Sequence, residues 1–241
     1  MHPPLLDEVI EAHGGLERYE SASTLRTQLH VDGLALLLKW QRGALADYTG
    51  VVSTKEPHVI LEPFSKPEHR GVLQGEAVQI ENASGDVIAR RSNPRAGFRS
   101  PRRQLWWDDL DLCYFAAYAL WGYLNAPFVL ARPEFETREI DPWVEDEQSW
   151  RGLEVRFPDD IPAHSKVQRY YFDGRGLLRR NDYTAEVFGG WAKAAHYCFD
   201  YKEMDGIMVP TRRRAMPRAG NGKPRRSIGL VNIAIDSVEL Q

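Results

Sequence analysis

The sequence predicts a mainly β (α+β) fold, in which one strongly curved antiparallel sheet of about ten strands forms a half-barrel covered on its concave side by two helices. Three observations predict this fold. Runs of strand length follow one another with turn residues between them, as in an antiparallel meander. The alternation of strand and helix that typifies parallel sheets is missing. Only two segments have a clear helical pattern.

Length and composition indicate a single domain over residues 1–241. Hydrophobic residues make up 43% and charged residues 27% of the chain, as in ordinary globular proteins, and a chain of this length buries enough core to fold without disulfides or metal. Cys113 and Cys198 lack metal-ligand spacing, which predicts reduced thiols. The N-terminus does not resemble a secretory signal, and the longest apolar run, residues 113–124, is too short for a bilayer. We therefore expect a cytoplasmic protein without a membrane span.

Charge is balanced overall but unevenly placed. The 31 Lys and Arg against 34 Asp and Glu give a net charge of -3, too small to drive polyanion binding. Arginine-rich runs occupy residues 90–103 and 212–226, and an acidic run occupies residues 134–147. We interpret these runs as complementary solvated loops; the alternative is a phosphate or nucleic-acid patch, but no nucleic-acid-binding motif accompanies them. We expect no nucleic-acid partner.

The two predicted helices lie in residues 1–22 and 104–126. The first has apolar residues at helical spacing and a stop or kink at Gly14-Gly15, which makes His13 a cap or surface residue. The second has an apolar stripe, aspartates in its first turns and Pro127 at its end. That stripe is either plain core or the wall of a ligand site. The remaining runs read as strands, including LALLLKWQRG at residues 34–43.

Three hairpins within residues 167–217 assign side chains to the two faces of the sheet, because side chains alternate with a period of two. A two-residue loop at Gly189-Gly190 would place Tyr183 directly opposite His196. We assign one face to the interior: Tyr170, Phe172, Leu177, Arg179, Asn181, Tyr183, His196, Cys198, Asp200, Thr211 and Arg213. The other face holds more charge and is assigned to solvent: Arg169, Arg180, Asp182, Glu186, Lys193, Arg212 and Arg214, with Tyr171, Tyr197, Phe199 and Tyr201.

The predicted interior mixes aromatic and apolar side chains with a few polar groups, as in small-molecule pockets. Arg179, Asp200 and Arg213 form either an ion-pair ladder or a clamp for a substrate carboxylate. Tyr183 and His196 form either an aromatic pair or an acid-base couple. The predicted catalytic residues are thus His196, Tyr183, Arg179 and Arg213, and the sheet residues predicted to bind ligand are Tyr170, Phe172, Asn181 and Asp200.

Motifs for cofactors and for other catalytic chemistry are missing from the sequence. It contains no GxGxxG, GxxxxGK[ST], GxSxG or HExxH pattern, and no cysteine and histidine spacing typical of zinc. We expect no cofactor and no metal.

The order of elements resembles the bacterial lipoprotein-localisation factors of the LolA/LolB type. The segments YFDGRGLLRRNDY, AAHY and DGIMVPTRRR, which begin at residues 171, 194 and 205, resemble an uncharacterised bacterial family associated with that fold. The resemblance implies a hydrophobic ligand on the concave side, with the 104–126 helix as a roof and Trp106 and Trp121 as walls. The export signal of the periplasmic carriers is missing here. A fold relative, the violacein-pathway enzyme, steers an aromatic intermediate without metal or cofactor, although no residues match it.

Two hypotheses of function follow, and a third is weaker. The first is binding of a small hydrophobic or aromatic molecule, with cofactor-independent isomerase, cyclase or lyase chemistry in which His196 transfers a proton, Tyr183 donates and Arg179 or Arg213 stabilises negative charge. The second is a non-catalytic carrier or sensor. The third is a polyanion-binding module that uses the arginine runs.

Overall fold

The architecture is one large antiparallel sheet wrapped around a central helix, in a computed structural model that describes residues 2–241. The helices are α1 (Pro4–Ala12), α2 (Leu16–Glu20), α3 (Leu34–Leu38), α4 (Pro94–Gly97), α5 (Pro101–Leu105) and α6 (Asp109–Asn125), with a 3-10 turn at Phe128–Ala131. The strands are β1 (Thr24–Asp32), β2 (Tyr48–Ser53), β3 (His58–Glu62), β4 (Arg70–Gln74), β5 (Ala77–Glu81), β6 (Val87–Ser92), β7 (Glu136–Glu145), β8 (Gln148–Arg156), β9 (Val167–Phe172), β10 (Leu178–Thr184), β11 (Lys193–Met204), β12 (Ile207–Pro217) and β13 (Val231–Leu240).

The sheet consists of two meanders that meet at its centre. The spatial order is β6-β5-β4-β3-β2-β1-β13-β12-β11-β10-β9-β8-β7, so the pairing of β1 with β13 joins the two meanders and α6 connects them in sequence. The sheet is open, with β6 and β7 as its edges. The predicted mainly β class and antiparallel sheet are confirmed.

The predicted strand count of about ten is too low, because the described residues form 13 strands. A run taken as one strand is the β4-β5 hairpin, whose turn uses Gly75 at a φ of 57°. The acidic run at 134–147, predicted to be a loop, is mostly strand β7. Residues 34–43, predicted to be a strand, form α3 and a turn instead. In that segment apolar residues continue without alternation, and such a run does not distinguish a strand from a helix.

The N-terminal helix is interrupted as predicted. Gly14 and Gly15 have φ values of 116° and 83°, in the region that favours glycine, and they separate α1 from α2. A side chain at Gly14 would collide with the backbone of Gly206 in the β11-β12 turn. Ala12 likewise packs where a side chain at Gly176 would lie. Helix α1 therefore closes one end of the half-barrel, across the tips of two hairpins. His13, predicted to be a cap or surface residue, ends α1 and is buried.

Helix α6 is buried on nearly all sides rather than amphipathic. It begins with a capping box in which the Asp108 side chain accepts from the Asp111 backbone N–H and the Asp111 carboxylate accepts from that of Asp108. Arg91 and Arg103 of the basic run 90–103 bind the Asp111 carboxylate at 2.7 and 2.6 Å. One side of the helix packs on β2–β5, and tyrosines on another side reach the C-terminal meander. No helix within residues 2–241 is long and apolar enough to cross a membrane.

Candidate ligand-binding site

The β10-β11 hairpin places Tyr183 and His196 on the same face, as predicted, but not opposite each other. Asn181 pairs with His196, and Tyr183 pairs with Ala194. The connecting segment spans residues 185–192 instead of two residues, and the register has moved by an even number of positions, which keeps Tyr183 and His196 on their predicted face. The two rings are buried and meet edge to face, with centroids 6.2 Å apart.

The predicted cluster of Arg179, Asp200 and Arg213 does not form. A bulge in β10 pairs Tyr170 with Asn181 instead of Arg179. Asp200 has a φ of 54°, and its exposed carboxylate lies 3.2 Å from Arg212. The pairing of Cys198 with Arg213 is as predicted.

Both irregularities move aromatic or charged side chains between faces, as bulges do. Tyr201, assigned to solvent, is turned inward and packs against His13 with ring centroids 5.9 Å apart.

Arg213 is a buried cation without a carboxylate partner. It is 4% exposed, and one guanidinium N–H donates to the Tyr123 carbonyl at 2.7 Å. The guanidinium also lies 5.2 Å from the centroid of the Tyr123 ring. Among the described residues, no Asp or Glu oxygen lies within 4.0 Å of it.

His196 lies next to this cation and is buried without a hydrogen-bond partner on either ring nitrogen in the described part of the chain. Its ring meets Tyr123 edge to face, with centroids 4.4 Å apart. Burial, together with the nearby Arg213 and His164, holds the pKa of His196 well below its usual value of 6.5. The imidazole is therefore neutral at pH 7.

His164 belongs to the same interior, and sequence reasoning missed it. Its Nε2 lies 2.6 Å from the Tyr123 hydroxyl and its Nδ1 lies 3.2 Å from the Tyr118 hydroxyl. The ring stacks on Tyr183 with centroids 3.9 Å apart. Burial and the charge of Arg95 lower the pKa of His164 to about 3. His164 lies in the segment between β8 and β9, where strand alternation cannot assign a face.

The hydroxyls of Tyr123 and Tyr183 lie 3.0 Å apart and complete a chain of polar groups from α6 to β10. Burial raises the pKa of both phenols, well above its usual range for Tyr123. These tyrosines are consequently protonated at every physiological pH. The interior network is uncharged apart from Arg213.

A large cavity lies between the inner face of β10–β13 and helices α3, α5 and α6. Its volume is about 590 Å³, within the range of small-molecule sites. Its lining is mostly apolar and includes Phe115, Phe188, Ala194 and Ala215, and His164 and Tyr183 form its polar floor. Three apolar side chains at the entrance are more than half exposed: Leu38, Leu105 and Trp191.

Two other hollows differ from this one. A space of about 20 Å³ behind His164 is lined by Tyr170, Asn181 and Arg213 among others, and it is large enough for a water molecule but not for a ligand. A surface hollow of about 350 Å³ is lined largely by prolines and charged groups such as Arg95 and Asp159, and by none of the predicted site residues.

The remaining predicted site residues lie outside the large cavity. Trp106 is partly exposed and stacks on Arg102 at 4.5 Å. Trp121 is fully buried, and its Nε1 donates to the carbonyls of Ser53 and Glu56 on the β2-β3 side of α6. Phe172 is part of the main core. Neither predicted tryptophan wall lines the cavity.

The face assigned to solvent is only partly exposed. Trp150, Tyr171, Ala195, Tyr197 and Met216 form a second core there. Strand β7 and the loop that contains Gly222 extend over it, and Arg180 and Asp182 are buried beneath them. Assigning Arg180, Asp182, Tyr171 and Tyr197 to solvent was wrong. The charges that suggested exposure are paired with each other, which permits burial.

Within residues 2–241, no group of three or more His, Cys, Asp or Glu side chains could hold a metal ion. Cys113 and Cys198 are buried and unpaired thiols.

Comparison with known proteins shows a LolA-like fold, as the resemblance implied. A DUF1329 family protein from Desulfovibrio piger superposes with a TM-score of 0.52 at 12% identity, over 100% of this chain and 94% of the other. A LolA superfamily protein from Nitrosomonas europaea superposes with a TM-score of 0.51 at 12% identity, over 94% of this chain and 91% of the other. No protein-family model and no curated protein matches the sequence.

Proposed function

We propose that the protein binds a small hydrophobic or aromatic molecule in the large cavity, as a carrier or sensor. The observation that carries the proposal is the apolar hollow of about 590 Å³ inside the half-barrel. The apolar side chains that line a hollow of this size can make dispersion contacts with a ligand of matching size. The expectation that a LolA-like fold holds its ligand on the concave side supports the same position.

The entrance and floor of the cavity suit an apolar guest. Leu38, Leu105 and Trp191 are 61, 74 and 79% exposed, and covering such surface stabilises a complex by roughly 25 cal/mol per Å². At the floor, His164 and Tyr183 present polar groups whose positions are fixed by mutual stacking. One polar group on the ligand would be oriented there.

Cofactor-independent catalysis is the second candidate. The observation that favours it is His196, whose two ring nitrogens are buried and have no partner in the described residues, beside the unpaired Arg213. A neutral imidazole accepts a proton, and a guanidinium stabilises negative charge that develops on a substrate. His196, however, does not line the large cavity. A His196→Ala variant that retains ligand affinity and loses turnover would support the enzyme, and a carrier requires no turnover.

Binding is tested with the neutral fluorophore N-phenyl-1-naphthylamine, whose emission rises in an apolar site. We expect saturable binding to the full chain. The Ala194→Trp variant fills the cavity from the sheet and should weaken binding by at least about tenfold, which is about 1.4 kcal/mol. The control is Ala83→Trp in the exposed β5-β6 turn, which should bind like the wild type. Equal binding by both variants, with circular dichroism unchanged, would contradict the proposal.

The cytoplasmic location and the lack of cofactor and of nucleic-acid partner stay predictions. Cell fractionation tests the first of these directly.

A further inference from the structure

The side chains that line the large cavity and carry charge at neutral pH are all basic. They are Lys39, Lys193, Arg218 and Arg225, and no Asp or Glu among the described residues belongs to the lining. The whole chain, by contrast, has more acidic than basic residues, 34 against 31. The cavity lining is thus positively charged, although the chain as a whole has a small negative net charge.

Lys39 is the most deeply placed of these cations. It is 4% exposed, and its Nζ donates to the Arg103 carbonyl at 3.0 Å and to the Gln104 carbonyl. The ammonium lies beside two aromatic rings that pack on each other, 5.4 Å from the centroid of Trp107 and 5.2 Å from that of Phe188.

Two of the three N–H donors of Lys39 are therefore occupied, and one remains. No carboxylate oxygen within residues 2–241 lies within 4.0 Å of Lys39. Burial lowers the pKa of its ammonium, as expected for a cation that lacks a counterion. A buried charge without a partner destabilises the free protein, and an anion placed beside it would remove that cost.

The other basic residues of the lining extend the positive charge toward the entrance. Lys193 and Arg225 are exposed, and neither has a carboxylate partner in the described part of the chain. Arg218 is paired, at 3.5 Å from Asp182. Positive charge near an opening attracts anions from solution and raises their rate of entry.

We propose that the ligand of the large cavity is an anionic amphiphile, with an apolar body along Phe115 and Ala194 and a carboxylate or similar acidic head group at Lys39. This inference rests on the proposed function, because it specifies the ligand of the same cavity. The remaining N–H of Lys39 would donate to the head group, in a hydrogen bond strengthened by both charges. The carbonyls of Arg103 and Gln104 hold the ammonium in place for that contact.

The test is displacement of N-phenyl-1-naphthylamine from the full chain by three ligands of equal chain length: dodecanoate, dodecanol and dodecylammonium. We expect dodecanoate to compete about tenfold better than dodecanol, and dodecylammonium to compete least. Lys39→Met should abolish the preference for dodecanoate and leave displacement by dodecanol within about twofold, since methionine retains the apolar stem. Lys39→Arg should retain it, and Lys202→Met at an exposed site should behave like the wild type.

The outcomes separate the two proposals. Equal competition by dodecanoate and dodecanol in the wild type would overturn the charge preference and leave hydrophobic binding intact. Failure of the fluorophore itself to bind would overturn the proposed function. If Lys39→Met does not fold, the wild-type comparison of the three ligands still decides whether the cavity prefers an anionic head group.

Discussion

Arg180 and Arg213 lie on opposite faces of the C-terminal meander and are buried to a similar degree, 0 and 4% exposed. Arg180 binds Asp182 through two hydrogen bonds of 2.6 and 2.8 Å and lies 3.1 Å from Glu145. It also donates to the Gly222 carbonyl and stacks on Trp143. Arg213 has one carbonyl and one aromatic ring.

The difference distinguishes a face closed by the protein itself from a face left incomplete. On the outer face the buried Arg180 has its carboxylate counterions, so its charge is balanced by the protein itself. Inside the half-barrel, Arg213 and Lys39 are buried without carboxylates in the described residues, and His196 has two free ring nitrogens. An interior of this kind is typical of a binding site rather than of a purely structural core.

The largest expected effect is the difference in the free energy of unfolding between a variant of Arg180 and a variant of Arg213. Arg180→Met leaves the buried Asp182 without its main partner and removes one of the partners of Glu145, and we expect it to lower the free energy of unfolding by about 4 kcal/mol. Arg213→Met removes a charge that has no counterion, and the change should stay within about 1 kcal/mol or be stabilising. Urea unfolding of both variants measures the difference. Equal destabilisation would contradict the distinction between the faces.

Lowering the pH should destabilise the fold mainly through three buried histidines. Burial lowers the pKa of His13 to about 4 and that of His164 to about 3, and it lowers that of His196 well below 6.5. The unfolded chain therefore binds protons near pH 6.5 that the folded chain rejects, so stability is present above pH 6.5 and is lost as pH falls.

Between pH 7 and 5.5 we expect a loss of about 1 kcal/mol for each of these histidines, or about 3 kcal/mol in total. Thermal unfolding across that range measures it. The double variant His164→Phe with His196→Phe should lose only about a third as much over the same interval. A wild-type stability that is flat between pH 7 and 5.5 would show that these imidazoles are not buried and neutral.

A smaller effect concerns the polar floor of the cavity. His164→Phe keeps the stacking on Tyr183 but removes the partner of the Tyr118 hydroxyl and one of the two partners of the Tyr123 hydroxyl, so we expect a loss of about 1–2 kcal/mol in urea unfolding. Tyr118→Phe should cost much less in the His164→Phe background than in the wild type. Additive losses would indicate that the contact is not formed.

The smallest effect tests a residue that the sequence placed inside. Asp200 is exposed, and its pair with Arg212 is a surface ion pair. Asp200→Asn should therefore change stability by less than about 0.5 kcal/mol and leave fluorophore binding unchanged. Loss of fluorophore binding in this variant would indicate that Asp200 does contribute to the ligand site.

Alternation along the strands predicted the inner face because that inference depends only on local geometry. Tyr183, His196, Cys198 and Arg213 share a face as long as the loops between their strands have an even number of residues. The bulges at Arg179 and Asp200 were not predicted, because arginine does not mark a bulge and the tolerance of aspartate for a positive φ does not by itself locate one.

Other failures came from contacts between segments distant in sequence. The burial of Arg180 depends on Glu145 and Gly222, which no local pattern connects to it. The cavity itself lies between β10–β13 and the short helices α3 and α5, and residues of α3 read as a strand. His164 and Lys39, which line it, stand in segments without strand alternation. Folding alone brings these groups together.

The account depends most directly on a ligand occupying the apolar hollow. A crystal structure of the protein grown with N-phenyl-1-naphthylamine tests this. We predict density for the fluorophore between Phe115 and Phe188 on one side and Ala194 and Ala215 on the other, with Tyr183 at its inner end. A fluorophore bound elsewhere on the protein, while that hollow remains unfilled at saturating concentration, would contradict the central claim.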